Sequence, residues 1–357
     1  MAGGNFQYSL AVFNSGSQLL HETLIKPDWL PALEAARFQA LCSVGSISGK
    51  ETISPSWHPS CGQPYISGVR ACVNVGSNGE GAIDIPMTYF RPHADAVVTA
   101  LVQSGALVEG EQILYSVSAF LVPDEPVTEK LSYGSLSVER QCPLRGARSI
   151  AEFECNIKAT IGSGGANFPV FIPKAILDEA EALKEGAGDV ETGGIVIGHL
   201  WQDPAAGPFV VVTAFIPARH TLAEKTRLTF TPETWADVNA AINLRTAGES
   251  YVGWIHTHPC RVWCHCPEPE KKVNCGYSLD FFSTTDAYLH RCVFYGAHQI
   301  AVVLGDRFLS GKGWKTTYSG YGWDHGIIVS RQFYITDGSV ERQSFEKRET
   351  NGKTTAG

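Results

Sequence analysis

The apolar positions in the first part of the chain predict strands over residues 5–13, 68–75, 82–90 and 112–122. Helical spacing of apolar residues predicts helices over 30–41 and 92–103, the second with Pro92 in its first turn. This order of strands and helices implies a small α+β domain over residues 1–160. No spacing there points to chemistry. His58, Cys61 and Cys72 match no zinc-ligand pattern.

The second part predicts strands over 168–172, 194–200, 209–216, 251–256, 299–304 and 327–335. A helix over 173–183 carries Ile176, Leu177, Ala180 and Leu183 on one face. Another opens at Thr231-Pro232-Glu233, with Trp235, Val238 and Ile242 as its apolar stripe. A third covers 286–294. Two stretches read as linkers, 123–134 and Gly162-Ser163-Gly164-Gly165. The second is the sharper break in composition, so a linker at 161–167 separates the first domain from a second over 168–336. The polar tail, 337–357, is expected to be disordered.

At 357 residues the chain has room for two domains, and 44% apolar with 18% charged residues describes a globular protein. A net charge of -8 provides no basic excess to neutralise phosphates, so no nucleic-acid partner is expected. No apolar run approaches the ~18 residues of a membrane span. The N-terminus lacks a basic region followed by an apolar core, which predicts a cytoplasmic protein. Six of the ten cysteines are scattered, whereas Cys260, Cys264, Cys266 and Cys275 fall within 16 residues. In a cytosolic chain such a cluster points to metal more than to disulfides.

The candidate chemistry centres on His256-Thr257-His258-Pro259. At a strand end, residues i and i+2 share a face, so both imidazoles could hold one metal ion. Taken alone, the pair is more readily two half-buried histidines of ordinary packing. Downstream, Ser283-Thr284-Thr285-Asp286 has the form of a helix cap with an acid in the first turn. That geometry would also bring Asp286 to the histidines, giving a His/His/Asp zinc set with a fourth position open. Upstream, Glu191 precedes a glycine-rich buried strand. It is either a solvated loop acid or the carboxylate that carries a proton for the attacking water. The Ser283 hydroxyl could stabilise an oxyanion.

Together these residues resemble the JAB/MPN (JAMM) family of zinc metalloproteases. Glu191 in ETGGIVIG, His256-Thr257-His258-Pro259 and Ser283-Thr284-Thr285-Asp286 match that family's motif in order. The resemblance covers residues 168–336. It implies a twisted sheet flanked by helices, one catalytic zinc held by His256, His258 and Asp286, and catalytic roles for Glu191 and Ser283. It also implies hydrolysis of peptide or isopeptide bonds after the Gly-Gly tail of a ubiquitin-like protein, as precursor or conjugate. Similar bacterial members accompany E1- and E2-like conjugation enzymes, some in phage defence. Residues 1–160 would then recruit the substrate or a partner. Other family members are scaffolds that lack the ligands, so a non-catalytic docking protein is the alternative. A hydrolase of another amide is a further one.

The chain departs from the family in the 24 residues between His258 and Ser283, read as a cysteine-rich insertion over 260–282. A longer loop costs little extra closure entropy, so Asp286 can still reach the metal. Asp280 is the competing carboxylate. The four cysteines suggest a second, structural zinc, with His265 as a spare ligand. Zinc supplies about 10–16 kcal/mol to small peptides that fold around it. Two other readings stay open: a lid with reduced thiols, and Cys260 or Cys266 as a removable ligand of the catalytic zinc.

Overall fold

The computed structural model describes residues 5–47, 51–75, 80–122, 140–141, 143–162, 169–218, 221–224, 227–278 and 280–337. The linker expected at 123–134, most of the one at 161–167, and the tail beyond Asp337 lie outside the described residues. The chain divides into two compact units, residues 1–142 with 324–327 and residues 143–323 with 328–357. No helix among the described residues is long and apolar enough to cross a membrane.

The first unit is a mixed α/β assembly. Its elements are β1 (Asn5–Asn14), β2 (Leu19–Ile25), α1 (Leu30–Val44), β3 (Ser46–Ile47), β4 (Glu51–Trp57), β5 (Ile66–Asn74), β6 (Glu80–Pro86), α2 (Arg91–Gln103), β7 (Ile113–Val122) and β8 (Arg140–Gln141). Two three-stranded antiparallel sheets, ordered β2-β1-β7 and β4-β5-β6, share one core. Leu10, Val12, Val69, Ile85, Phe90 and Val117 lie in it, all essentially inaccessible to water. Ala32, Ala36 and Ala40 form the buried stripe of α1. The predicted strand over 82–90 ends at Pro86, after which Met87–Phe90 turn into a short 3-10 helix that leads into α2.

The second unit is built on a nine-stranded mixed sheet. Its elements are α3 (Ala151–Glu154), β9 (Ile157–Ile161), β10 (Val170–Pro173), α4 (Lys174–Ala187), β11 (Gly193–Asp203), β12 (Gly207–Pro217), β13 (Thr221–Glu224), β14 (Arg227–Phe230), α5 (Pro232–Arg245), β15 (Ser250–Thr257), α6 (Cys260–Trp263), α7 (Pro269–Val273), α8 (Thr284–Val293), β16 (Ile300–Leu309), β17 (Gly313–Asp324), β18 (Ile327–Arg331) and β19 (Phe333–Thr336). The sheet order is β18-β17-β16-β15-β11-β12-β10-β19-β9. Central strands read as unbroken apolar runs because they are covered on both faces: the last six residues of β15 are all buried.

The boundary falls earlier in the chain than the 161–167 linker. Residues 143–160, assigned from sequence to the first domain, belong to the second unit because their backbone is tied there. The N–H groups of Arg145 and Arg148 donate to Leu200 and Gln202 of β11, at 2.8 and 2.9 Å. Beyond them β9 pairs antiparallel with β19. The single strand expected over 327–335 is two strands, which break at Gln332 and pair with different neighbours.

β11 and β15 approach closely at Gly193. A Cβ on Gly193 would lie 2.2 Å from the Ile255 carbonyl oxygen and 2.9 Å from His256 Cα. Neither atom can move without parting the strands. Gly193→Ala should therefore destabilise the protein by about 1–3 kcal/mol or more, seen as a lower midpoint in denaturant. A midpoint equal to wild type would show that the strands are not this close.

Candidate metal centre

Antiparallel pairing of β11 with β15 sets Gly193 opposite His256. The alignment continues past the start of β11: Thr257 N–H donates to the Thr192 carbonyl at 2.8 Å, and Thr192 N–H donates to Thr257 Oγ1 at 3.1 Å. Glu191 consequently stands across from His258. On the other side of β15, His258 N–H donates to the Leu304 carbonyl of β16 at 2.8 Å, so the backbone stays extended through both histidines. The two imidazoles then project from one face.

Asp286 arrives from α8. Ser283 is the N-cap of that helix, and its hydroxyl accepts from Asp286 N–H at 3.1 Å while Ser283 N–H donates to Asp286 Oδ2 at 2.8 Å. The capping box and the candidate ligand are thus one structure: the cap fixes the carboxylate that meets the histidines. Ser283→Ala removes the cap acceptor and should cost about 0.5–2 kcal/mol, measured by denaturant unfolding. No loss would mean that the cap does not hold α8.

His256 Nε2 and His258 Nε2 lie 3.1 Å apart, with Asp286 Oδ1 3.3 Å from the first and Asp286 Oδ2 3.4 Å from the second. A tetrahedral zinc with N and O ligands at about 2.0–2.1 Å spaces those atoms by about 3.3–3.4 Å. Each imidazole faces its own oxygen of Asp286, and one ligand atom from each of the three side chains lies within 4.8 Å of the others, so the donor set can converge on one such ion. Glu191 Oε1 is 3.7 Å from His258 Nε2, and its Oε2 is buried with no hydrogen-bond partner. All four side chains are buried: Glu191 is 3% exposed, His256 0%, His258 1% and Asp286 5%.

The electrostatics follow from that burial. Desolvation, reinforced by the Asp286 charge, pushes Glu191 up to about 8. Burial also raises Asp286, but His256 and His258 outweigh it and hold the carboxyl well below the usual range. Burial lowers His258, more than its hydrogen bond to Asp286 raises it, which favours the neutral imidazole a metal needs. Two carboxylates enclosed with two imidazoles form a donor cluster that a divalent cation would relieve of its repulsion.

Several residues that position this cluster were not singled out from sequence. Trp254, two residues before His256 on the same strand face, stacks on the His256 ring at 4.3 Å and donates its indole N–H to His290 Nδ1 at 3.1 Å. Burial drives His290 down to about 3, keeping it neutral as that acceptor. Its i+4 spacing from Asp286 was the available signal, since it sets both on one face of α8. His256 Nδ1 is buried without a hydrogen bond, so the Trp254 face, rather than a hydrogen-bond acceptor, orients that ring.

Phe281 stacks on His258 at 4.4 Å, and Trp263 lies 5.7 Å from the same ring. Both belong to the 260–282 insertion, which therefore covers the cluster. Asp280 is not the third ligand: it is exposed, accepts from Thr317 Oγ1 at 3.0 Å and faces Arg307 at 3.5 Å. Of the four clustered cysteines, Cys264, Cys266 and Cys275 come together with sulfurs within 4.8 Å of one another, and Cys260 is not among them. The turn after Pro259 buries Cys260 against Gly305 of β16, where burial pushes its thiol up to about 11. His265 is exposed and outside the group.

No family model matches the chain, and no curated protein matches it. Among solved structures, a solution structure of a Desulfitobacterium hafniense protein is similar to part of it. The likeness has 14% identity and a TM-score of 0.31, and covers 47% of this chain and 93% of that one.

Proposed function

We propose that this protein is a zinc-dependent peptidase or isopeptidase of the JAB/MPN (JAMM) type. Its proposed substrate is a ubiquitin-like protein, cut after the C-terminal tail. The observation that supports this best is the convergence of two imidazoles, 3.1 Å apart at Nε2, on the Asp286 carboxylate, whose two oxygens lie 3.3 and 3.4 Å from them, with an unpartnered Glu191 carboxylate oxygen beside the group.

In this reading His256, His258 and Asp286 hold the ion, which when bound supplies Lewis-acid activation of water and of the scissile carbonyl. Glu191 accepts the proton of the attacking water and delivers it to the leaving amine. The Ser283 hydroxyl uses a lone pair in its cap, which leaves its O–H proton available to an oxyanion. A Gly-Gly tail suits a centre walled by aromatic rings, because glycine needs least room. E1- and E2-like conjugation enzymes are the proposed pathway partners, and the first unit is the proposed recruitment module.

The zinc-loaded protein should release a reporter joined through an amide to the Gly-Gly end of a ubiquitin-like protein, with the cut after the second glycine. Hydrolysis of other amides but not of this fusion would move the assignment to a different substrate. The cover formed by Phe281 and Trp263 favours one second reading, a docking protein held closed. Failure of the zinc-loaded chain to cut any amide would establish it.

A further inference from the structure

The insertion that covers the candidate centre has little of its own to hold it. α6 and α7 have four and five residues, too short to persist alone, and α7 buries none of its side chains. Cys260 is the one buried residue of α6. Yet the segment after α6 and the segment after α7 meet at three half-buried sulfurs, those of Cys264, Cys266 and Cys275, within 4.8 Å of one another.

We propose that Cys264, Cys266 and Cys275 form a second metal site, a three-thiolate centre for zinc or another thiophilic cation, which staples the lid over His258. Zinc–sulfur bonds of about 2.3 Å place tetrahedral sulfurs about 3.8 Å apart, inside the 4.8 Å within which these three lie. Three thiols at one point suit a metal better than a disulfide, which would always leave one behind. A bound cation would take the three sulfurs as thiolates. Cys260 lies elsewhere, so the fourth position is left to a small ligand such as water.

The consequence for the neighbouring centre is geometric, and it rests on the reading of that centre as a metallohydrolase. Cys264 directly follows Trp263, whose indole N–H donates to the Asp189 carbonyl at 3.2 Å, two residues before Glu191. Cys275 precedes Tyr277, whose ring packs edge-on against Trp263 at 5.8 Å. A metal joining the two segments therefore fixes the aromatic cover over His258.

Cobalt(II) titration of the full chain carrying His256→Ala and His258→Ala isolates this site. We expect one cobalt per chain with thiolate-to-metal charge-transfer absorption in the near ultraviolet. The band should vanish when Cys264, Cys266 and Cys275 are also changed to serine. Absence of the band in the double histidine variant overturns the proposal. Thiol titration of the wild-type protein gives a check that needs no variant: a chelator should expose three additional reactive thiols, and an unchanged count overturns the proposal as well. The band is blind to the histidine centre. Its absence alongside intact cleavage in the wild type removes the second site alone, and its presence in a protein that cuts nothing removes only the hydrolase reading.

Discussion

Glu191→Gln should reduce cleavage by about 100- to 10,000-fold while the protein keeps the zinc of its histidine centre. Glutamine has the shape of glutamate but neither its charge nor its capacity to take a proton. Glu191 lies outside the group formed by His256, His258 and Asp286, so the ligand set survives the change. Its carboxylate nonetheless lies 3.7 Å from His258 Nε2 and 3% exposed, which puts it beside the proposed reaction. Kinetics and metal analysis on the same sample separate the possibilities. Activity within a few-fold of wild type would remove Glu191 as the proton carrier. Loss of zinc together with activity would make it a ligand instead.

His256→Ala should have the larger effect, because it removes a ligand of the proposed ion on which the proposed chemistry depends. Cleavage should fall below detection, and His258→Ala should do the same. Stability provides a second readout. A ligand at about 1,000 times its Kd stabilises the folded state by about 4 kcal/mol, so added zinc should raise the thermal midpoint of the wild type. That rise should shrink in His256→Ala to whatever the cysteine site alone provides. If His256→Ala and Glu191→Ala both cut substrate like wild type, the mechanism is wrong.

How much of this was legible in the sequence depended on where the information resides. β1, β7, β11, β15 and the helices α1, α2, α4, α5 and α8 were legible because each carries its own apolar pattern. β17, one of the longest strands, was missed because glycine takes the place of the apolar residues that would mark it. At Gly320 a Cβ would lie 2.5 Å from the Arg331 carbonyl oxygen, so the neighbouring strand rather than local propensity selects that residue. β4 was hidden by Pro55 and by side chains that are half-buried along its whole length. β9 was legible only through its partner β19, far along the chain, and so the unit boundary was placed too late.

The candidate site divides the same way. Glu191, His256, His258, Ser283 and Asp286 were readable as motifs because strand and helix periodicity fixes their directions. The cover of Phe281 and Trp263 was not, since it arises from folding the insertion back onto β15. The separation of Cys260 from the other cysteines was equally hidden, because it follows from the turn at Pro259. In strand spacing Cys260 would continue the His256 and His258 face, but α6 begins there and turns the residue toward β16.

The central claim is that His256, His258 and Asp286 hold one metal ion beside a carboxylate that is not a ligand. Anomalous diffraction at the zinc edge from crystals of the zinc-loaded protein tests it most directly. The account predicts a peak in contact with His256 Nε2, His258 Nε2 and a carboxylate oxygen of Asp286, with Glu191 outside bonding distance. An absence of anomalous density among those three side chains, in crystals that contain zinc, would contradict it.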